Sequence, residues 1–258
     1  MMTRVAEIPR ILHQTWRADA VPAPFQRCRD GWLAQHPSWE HRLYDDAACL
    51  VFVRSRGARW LDLYERLPTA IQRADLFRYL VVDAYGGVYA DVDMACYRPI
   101  DALLAGASCA LSIEAHLTRR RQHELGYTQP RQLANCIFSA TPGHPFLQAL
   151  IDEIASLVRL DVQTDADVED STGPRMLTRV FERLDPEEQA GIRVLPQMLL
   201  MAPRECPRVP LLGPPIHARH LFAGSWKRPS GRASLRRWWI ERSRIPPLWP
   251  RLPGGADA

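Results

Sequence analysis

Apolar positions along the chain alternate between two spacings. From Thr69 to Ala84 they predict a helix: Ile71, Ala74, Phe77, Arg78, Val81 and Val82, continued by Tyr85, follow the 3.6-residue period and form one broad apolar face that carries a single charge. Similar patterns predict helices over Phe25 to Gln35, Ala47 to Arg56, Pro145 to Leu160 and Arg175 to Leu184. Ser171 or Thr172 is placed to cap the last of these, with Pro174 in its first turn. Between the helices, short apolar runs read as strands at Arg10 to His13, His41 to Tyr44, Val88 to Asp91, Cys109 to Ile113, Cys136 to Ala140 and Ile192 to Leu195. Strands alternating with helices predict an α/β domain with a mostly parallel sheet flanked by helices, where ligands bind beyond the carboxyl ends of the strands. The polar, basic stretch from Glu114 to Leu133 is long for a connection and predicts a mobile lid or acceptor loop.

The chemistry gathers where one helix gives way to one strand. Gly86 and Gly87 stop the helix, and the strand that follows ends on Asp91 and Asp93. Side chains two apart on a strand share a face, so the two carboxylates are expected to converge. Either they are a solvated turn, or they hold a hard divalent cation that keeps positions open for phosphate oxygens. Asp75 and Arg78, at i and i+3, are neighbours on the preceding helix. They read either as an exposed ion pair or, since Arg78 shares the apolar face, as a fork for hydroxyl and phosphate recognition.

Composition fits an enzyme domain. The chain has 258 residues, 47% of them hydrophobic, enough for one sizeable core. A net charge of +4 favours anionic ligands without implying nucleic acid. Cys28, Cys49, Cys96, Cys109, Cys136 and Cys206 show no zinc spacing and read as reduced core thiols. No basic-then-apolar leader and no run of 18 apolar residues is present, which leads to the expectation of a cytoplasmic chain. The tail from Lys227 is basic and rich in tryptophan. Leu235, Trp238, Trp239 and Arg242 would share one side of a short helix, either docked on the domain or resting on the cytoplasmic face of a membrane as a peripheral, anionic-lipid foot.

Asp75-x-x-Arg78 followed by Tyr85-Gly86-Gly87-Val88-Tyr89-x-Asp91-x-Asp93 resembles the sugar-binding region of glycosyltransferase family 32, the DXD-containing transferases that include fungal outer-chain mannosyltransferases and bacterial capsule-type enzymes. Further segments match in order: Ile8 to Trp16, Asn135 with Pro142 to Pro145, Thr172-Gly173-Pro174, and His220 with Gly224-Ser225-Trp226. The resemblance covers Ile8 to Trp226. It implies a single nucleotide-sugar-binding, Rossmann-like domain of GT-A type over residues 1–226, with residues 227–258 as an appended tail. It further implies a metal-dependent hexosyltransferase acting with retention, Mn²⁺ or Mg²⁺ as cofactor, a UDP- or GDP-linked sugar as donor, and a glycan or lipid-linked saccharide as acceptor, a bacterial surface glycan foremost.

By the same resemblance Trp16 stacks the nucleobase, Asp75, Arg78 and Asn135 contact the sugar, Ser225 and Trp226 hold the diphosphate, and His220 joins Asp91 and Asp93 on the metal. Read without it, Trp16 is as well a core residue, Asn135 a turn cap, and His217 and His220 packing residues under a loop. Leu221 stands where the family often has a second histidine. Two other functions are open to these residues: a metal-dependent phosphohydrolase of the aspartyl-phosphate type, whose Asp-x-Asp closes its first strand, and a non-catalytic carbohydrate-binding protein.

Overall fold

The computed structural model describes residues 7–18, 20–157, 162–203 and 215–224. Its first part runs β1 (Ile11–Thr15), α1 (Ala23–Gln35), β2 (Glu40–Tyr44), α2 (Asp46–Ser55), α3 (Ala58–Arg66), α4 (Ala70–Tyr85) and β3 (Gly87–Ala90). A short strand β4 (Met94–Cys96) and one turn of helix α5 (Asp101–Leu104) lead to β5 (Cys109–His116), α6 (Arg119–Leu125) and β6 (Arg131–Ala140). Helices α7 (Pro145–Ala155), α8 (Asp165–Ser171), α9 (Pro174–Arg183) and α10 (Pro186–Gly191) follow, then β7 (Arg193–Leu195), α11 (Gln197–Leu200) and β8 (Ala218–His220). The predicted end of α7 and the whole tail from Ser225 lie outside the described residues.

Six strands form one sheet in the order β2-β1-β3-β6-β5-β7, with β4 and β8 as a separate pair. Pairing is parallel for β1 with β2 and β3 and for β5 with β7, and antiparallel wherever β6 takes part. The sheet is therefore mostly parallel, with β6 reversed. Alternation along each strand feeds two cores. Val88 and Ala90 pack with Leu12, Trp32 and Met94 on one face, whereas Tyr89 packs with Leu80, Leu111 and Phe138 on the other.

Helix α4 lies in the second core and is buried more fully than its period predicts. Leu76, Tyr79 and Leu80 are as buried as Phe77 and Val81, while Tyr85, assigned to the apolar face, is 42% exposed. Thr69 caps the helix by accepting from the Gln72 N–H, and Gly86 ends it at φ 65°. No other residue fits the two glycines. A Cβ on Gly86 would meet Pro142 Cδ at 2.6 Å, and one on Gly87 would meet the Ile11 carbonyl oxygen at 2.5 Å. Buried His13 of β1 bonds the Gly86 carbonyl from Nε2 at 2.9 Å, tying helix end to sheet. Burial pushes the His13 imidazole down to about 4, so it is neutral there.

Two expectations are corrected. Residues 114–133 are not a loop: β5 extends to His116, α6 follows, and β6 begins at Arg131. Glu182 accepts the Thr128 and Gln129 N–H groups, pinning that connection to α9. Neither Ser171 nor Thr172 caps α9; Gly173 holds the cap position without a side-chain bond. The cysteine reading holds for Cys28, Cys49, Cys96, Cys109 and Cys136, which are free and buried. Among the described residues no helix is long and apolar enough to cross a membrane.

Candidate active site

Asp91 lies one residue beyond β3, and a turn brings Asp93 back towards it. The Asp91 N–H donates to the Cys136 carbonyl at 2.8 Å, and the Met94 N–H donates to the Asp91 carbonyl at 2.9 Å. The carboxylates thus converge through a tight turn and not through strand pleat, a correction to the geometry expected of the pair. The two are held by different elements. Asp91 keeps the parity of Tyr89 and turns to the α4 side, where the Tyr89 hydroxyl donates to its Oδ1 at 3.0 Å. Asp93 turns to the small sheet: Met94 of β4 pairs opposite His220 of β8, which brings His220 Nε2 to 3.0 Å from Asp93 Oδ1. The Ala223 N–H donates to Asp93 Oδ2 at 2.9 Å.

Asp91, Asp93 and His220 offer ligand atoms within 4.8 Å of one another. The donor set fits a divalent ion. It is rich in carboxylate oxygen, as Mg²⁺ and Mn²⁺ prefer, and His220 Nδ1 is buried with no hydrogen-bond partner among the described residues. Burial raises the Asp91 carboxyl, Arg78 opposes and the nearby Asp93 charge adds. Burial also disfavours the charged forms of Asp93 and His220. Their mutual attraction outweighs it, lowering the carboxyl and raising the imidazole.

Next to this cluster stands a second one that is buried throughout. Asp75 and Arg78 are 2% and 3% exposed, so the exposed-pair reading is wrong. Arg78 Nη2 lies 3.0 Å from Asp75 Oδ1 and 3.5 Å from Asp91 Oδ1, linking the helix to the Asp91–Asp93–His220 cluster. Its Nη1 donates to the Asn135 carbonyl at 2.8 Å, and its guanidinium lies 4.8 Å from the centre of the Tyr89 ring. Asp75 accepts from Asn135 Nδ2 at 3.1 Å and from Thr172 Oγ1 at 2.7 Å. Burial pushes the Asp75 carboxyl up to about 6 against Arg78 and these donors. Thr172 is turned inward by this bond and lies one residue before the α9 cap position, Gly173.

Asn135 and Cys136 reach the site because the sheet is irregular there. Leu111 opposes Phe138 and Ile113 opposes Leu133, so the single residue Ser112 of β5 faces residues 134–137 of β6. The surplus chain bulges and frees backbone groups for other partners: the Asn135 carbonyl for Arg78, the Cys136 carbonyl for the Asp91 N–H. Asn135 is accordingly a bonded member of the site and not a turn cap.

These groups open on a cleft of about 510 Å³ lined by Trp16, Asp75, Arg78, Asp91, Asp93, Asn135 and His220, with Glu114, Glu169 and Phe222. Trp16 is both wall and core: 9% exposed, packed edge-on against Phe25 at 5.3 Å, its indole N–H donating to the Ala20 carbonyl. Ser225 and Trp226 lie outside the described residues. His217 is turned away, bonded through Nδ1 to the Pro99 carbonyl at 2.7 Å. Thr172, Tyr89 and Glu114 were not singled out as site residues by the sequence reading. Only the first two fell inside quoted motifs, and a lone glutamate in a polar stretch carries no signal.

The fold is that of GT-A type, a mostly parallel sheet flanked by helices, and in this chain it carries an Asp-x-Asp beyond its third strand with a buried Asp–Arg pair beside it. Residues 22–110 match the glycosyltransferase sugar-binding region containing a DXD motif, a span that holds Asp75, Arg78, Asp91 and Asp93. Over those residues the chain is similar to the DXD-containing glycosyltransferases, and the relatives it resembles along more of its length are fungal mannosyltransferases. Inositol phosphoceramide mannosyltransferase 1 of Schizosaccharomyces pombe is 28% identical over 92% of this chain and 67% of its own length. Mannosyl phosphorylinositol ceramide synthase SUR1 of Saccharomyces cerevisiae is 28% identical over 68% of this chain and 42% of its own. The initiation-specific alpha-1,6-mannosyltransferase of Candida albicans is 24% identical over 85% of this chain and 72% of its own. The chain spans about two fifths of the length of SUR1 and of inositol phosphoceramide mannosyltransferase 3 of S. pombe. Among solved structures, PaToxG glycosyltransferase shares the fold, with a TM-score of 0.50 at 15% identity over 67% of this chain and 69% of that one. These relatives give no support to the phosphohydrolase or the binding-protein reading, and the expectation of a bacterial setting finds no counterpart among the fungal ones.

Proposed function

We propose that the chain transfers a hexosyl group, mannosyl first among them, from a nucleoside-diphosphate sugar to a hydroxyl of a glycan or lipid-linked saccharide, with Mn²⁺ or Mg²⁺ at Asp91, Asp93 and His220. One observation carries the reading: Arg78 joins the buried sugar-side acid, Asp75, to the metal-side acid, Asp91, in one network. A donor bound across that network has its diphosphate at the metal and its hexose hydroxyls over Asp75 and Asn135. Mannosyl transfer to an inositol-containing lipid is favoured by the relatives, among them an inositol phosphoceramide mannosyltransferase and a mannosyl phosphorylinositol ceramide synthase.

Cleavage of the glycosidic bond puts negative charge on the leaving diphosphate, and the ion, once bound, stabilises that charge as a Lewis acid. The chain itself contributes position. Tyr89 fixes Asp91, His220 and the Ala223 N–H fix Asp93, and Thr172 with Asn135 fixes Asp75, so the site is ordered before the donor arrives. Retention of anomeric configuration is part of the proposal, carried by the family resemblance. The test is a panel of GDP- and UDP-sugars with Mn²⁺, Mg²⁺ or EDTA, read by release of nucleoside diphosphate and by NMR of the product anomer. Hydrolysis of phosphomonoesters in place of nucleotide sugars would overturn the reading, as would turnover unaffected by EDTA.

Trp16 is proposed as the nucleobase platform. Trp16→Ala is expected to weaken nucleoside diphosphate and intact donor alike, by roughly 1 to 3 kcal/mol of lost stacking. Calorimetric titration of both ligands checks it, and a loss confined to the donor would move the base elsewhere. Localisation at the cytoplasmic face through the tail is likewise proposed, on the tryptophan and arginine content beyond Lys227. Co-sedimentation with anionic vesicles at low salt, lost on truncation after Lys227, is the expected result; full-length protein left in the supernatant removes the membrane foot.

A further inference from the structure

A carboxylate that neither the metal site nor the Asp75 network uses is built into the same cleft. Glu114 sits on β5 between Ile113, paired with Leu133, and Ala115, paired with Gln132, so it has no residue opposite it on β6. A residue inserted in this way is re-aimed out of the strand's alternation, and the Glu114 side chain lines the cleft. It is held there from behind. Gln132 Nε2 donates to Glu114 Oε2 at 2.8 Å, and Gln132 Oε1 accepts from the hydroxyl of buried Tyr127 at 3.3 Å. The backbone is anchored as well, the Glu114 carbonyl accepting from Gln197 Nε2 at 2.6 Å.

Its place along the sheet says what it faces. In the strand order β1, β3, β6, β5, the residues at the cleft are Trp16, Asp91, Asn135 and Glu114 in turn. Each step crosses to the neighbouring strand, about 4.8 Å away, and the last also runs along the strand, since Glu114 lies level with Leu133 and Gln132 of β6. A nucleoside-diphosphate sugar laid along that line has its base at Trp16, its diphosphate at Asp91 and Asp93, and its hexose at Asn135 and Asp75. The next position, on the far side of the hexose from the nucleotide, is Glu114.

We propose that Glu114 is the acceptor-binding carboxylate, taking the hydrogen bond of the attacking hydroxyl of a neutral polyol or hexose and orienting it towards the sugar; this rests on the nucleotide-sugar reading above. The neutral class follows from charge. A phosphate at this end would meet the like charge of Glu114 itself, whereas a hydroxyl finds an acceptor.

The experiment separates transfer to water from transfer to an acceptor, using GDP-mannose, Mn²⁺ and methyl α-mannopyranoside. Glu114→Gln and Glu114→Ala are expected to keep GDP affinity and donor hydrolysis within about twofold of wild type while losing about 100-fold or more in kcat/KM for the mannoside, in the range of a lost positioned polar group. Saturation-transfer NMR of the mannoside, with GDP and Mn²⁺ present, should give a signal with wild type and none with Glu114→Ala. Transfer within threefold of wild type overturns the proposal, as do hydrolysis and GDP binding that fall together with transfer. Should wild type neither hydrolyse nor transfer any nucleotide sugar, the transferase reading fails. The NMR arm then decides Glu114 alone: no mannoside signal with wild type, or one that survives Glu114→Ala, overturns the proposal.

Discussion

Asp93→Ala is expected to abolish Mn²⁺-dependent binding of nucleoside diphosphate, by at least 100-fold, and to take donor turnover with it. Asp93 is one of three groups whose ligand atoms converge within 4.8 Å, and it is also what holds a second one, His220, in place. Removing the carboxylate subtracts one ligand and frees another, and it leaves the Ala223 N–H without its acceptor. The sheet and both cores are untouched, since Asp93 lies in a turn outside them. The melting temperature should therefore fall by only a few degrees, corresponding to roughly 1 to 2 kcal/mol for lost hydrogen bonds. Calorimetric titration with GDP and Mn²⁺, beside a thermal melt, measures both effects. Wild-type nucleotide affinity in the variant would place the clamp on other residues.

Arg78 should behave differently, because its loss is felt by the fold. The guanidinium lies between Asp75 and Asp91, and burial disfavours its charge while Asp91, Tyr89 and Asp75 hold it, leaving it firmly protonated. Arg78→Ala leaves uncompensated carboxylates in the interior, a change that costs about 3 to 5 kcal/mol in comparable buried pairs. Urea denaturation should show that loss, and a variant as stable as wild type would mean that water reaches the pair. Asp75→Asn isolates recognition from folding, since it removes a charge whose carboxyl is already pushed up to about 6. It is expected to bind nucleoside diphosphate within threefold of wild type and to lose about 100-fold in donor turnover, because only the intact donor carries the hydroxyls in question.

The same group sets a sign for pH. Its folded value lies above the ordinary aspartate range, so the native state binds more protons than the unfolded chain between about 6 and the ordinary value near 4. Wild type therefore gains stability relative to Asp75→Asn as pH falls through 6, and loses that gain as pH rises above it. Paired melts at pH 7 and pH 5 check the direction.

Much of this molecule is legible from one chain because much of it is local. The helical period over residues 69–85, the two glycines that stop it, and the apolar runs beside them depend on neighbours in sequence, and α4, β3 and the other expected strands form where the pattern puts them. Gly86 and Gly87 are readable for the same reason: a helix that must end against β1 leaves no room for a side chain. Asp91, Asp93, Asp75 and Arg78 stand out by spacing taken together with the family resemblance. The way they are joined does not. Whether the Asp75–Arg78 pair is exposed or buried depends on β6 and on Thr172, residues 57 to 97 positions away.

Strands of three residues, such as β4 and β8, are too short for any period to show, so the delivery of His220 to Asp93 appears only once they pair. The bulges of β5 and β6 are invisible for a related reason. A bulge is a mismatch in register between two strands, and no single strand contains it. By itself, then, the sequence determined the alternating α/β order, the glycine turn and the acidic residues at its end. The tertiary structure decided which distant groups meet those acids, and through the register of β5 against β6 it placed Asn135 and Glu114 at the cleft, because pairing between strands is set by contacts that form only when the chain has folded.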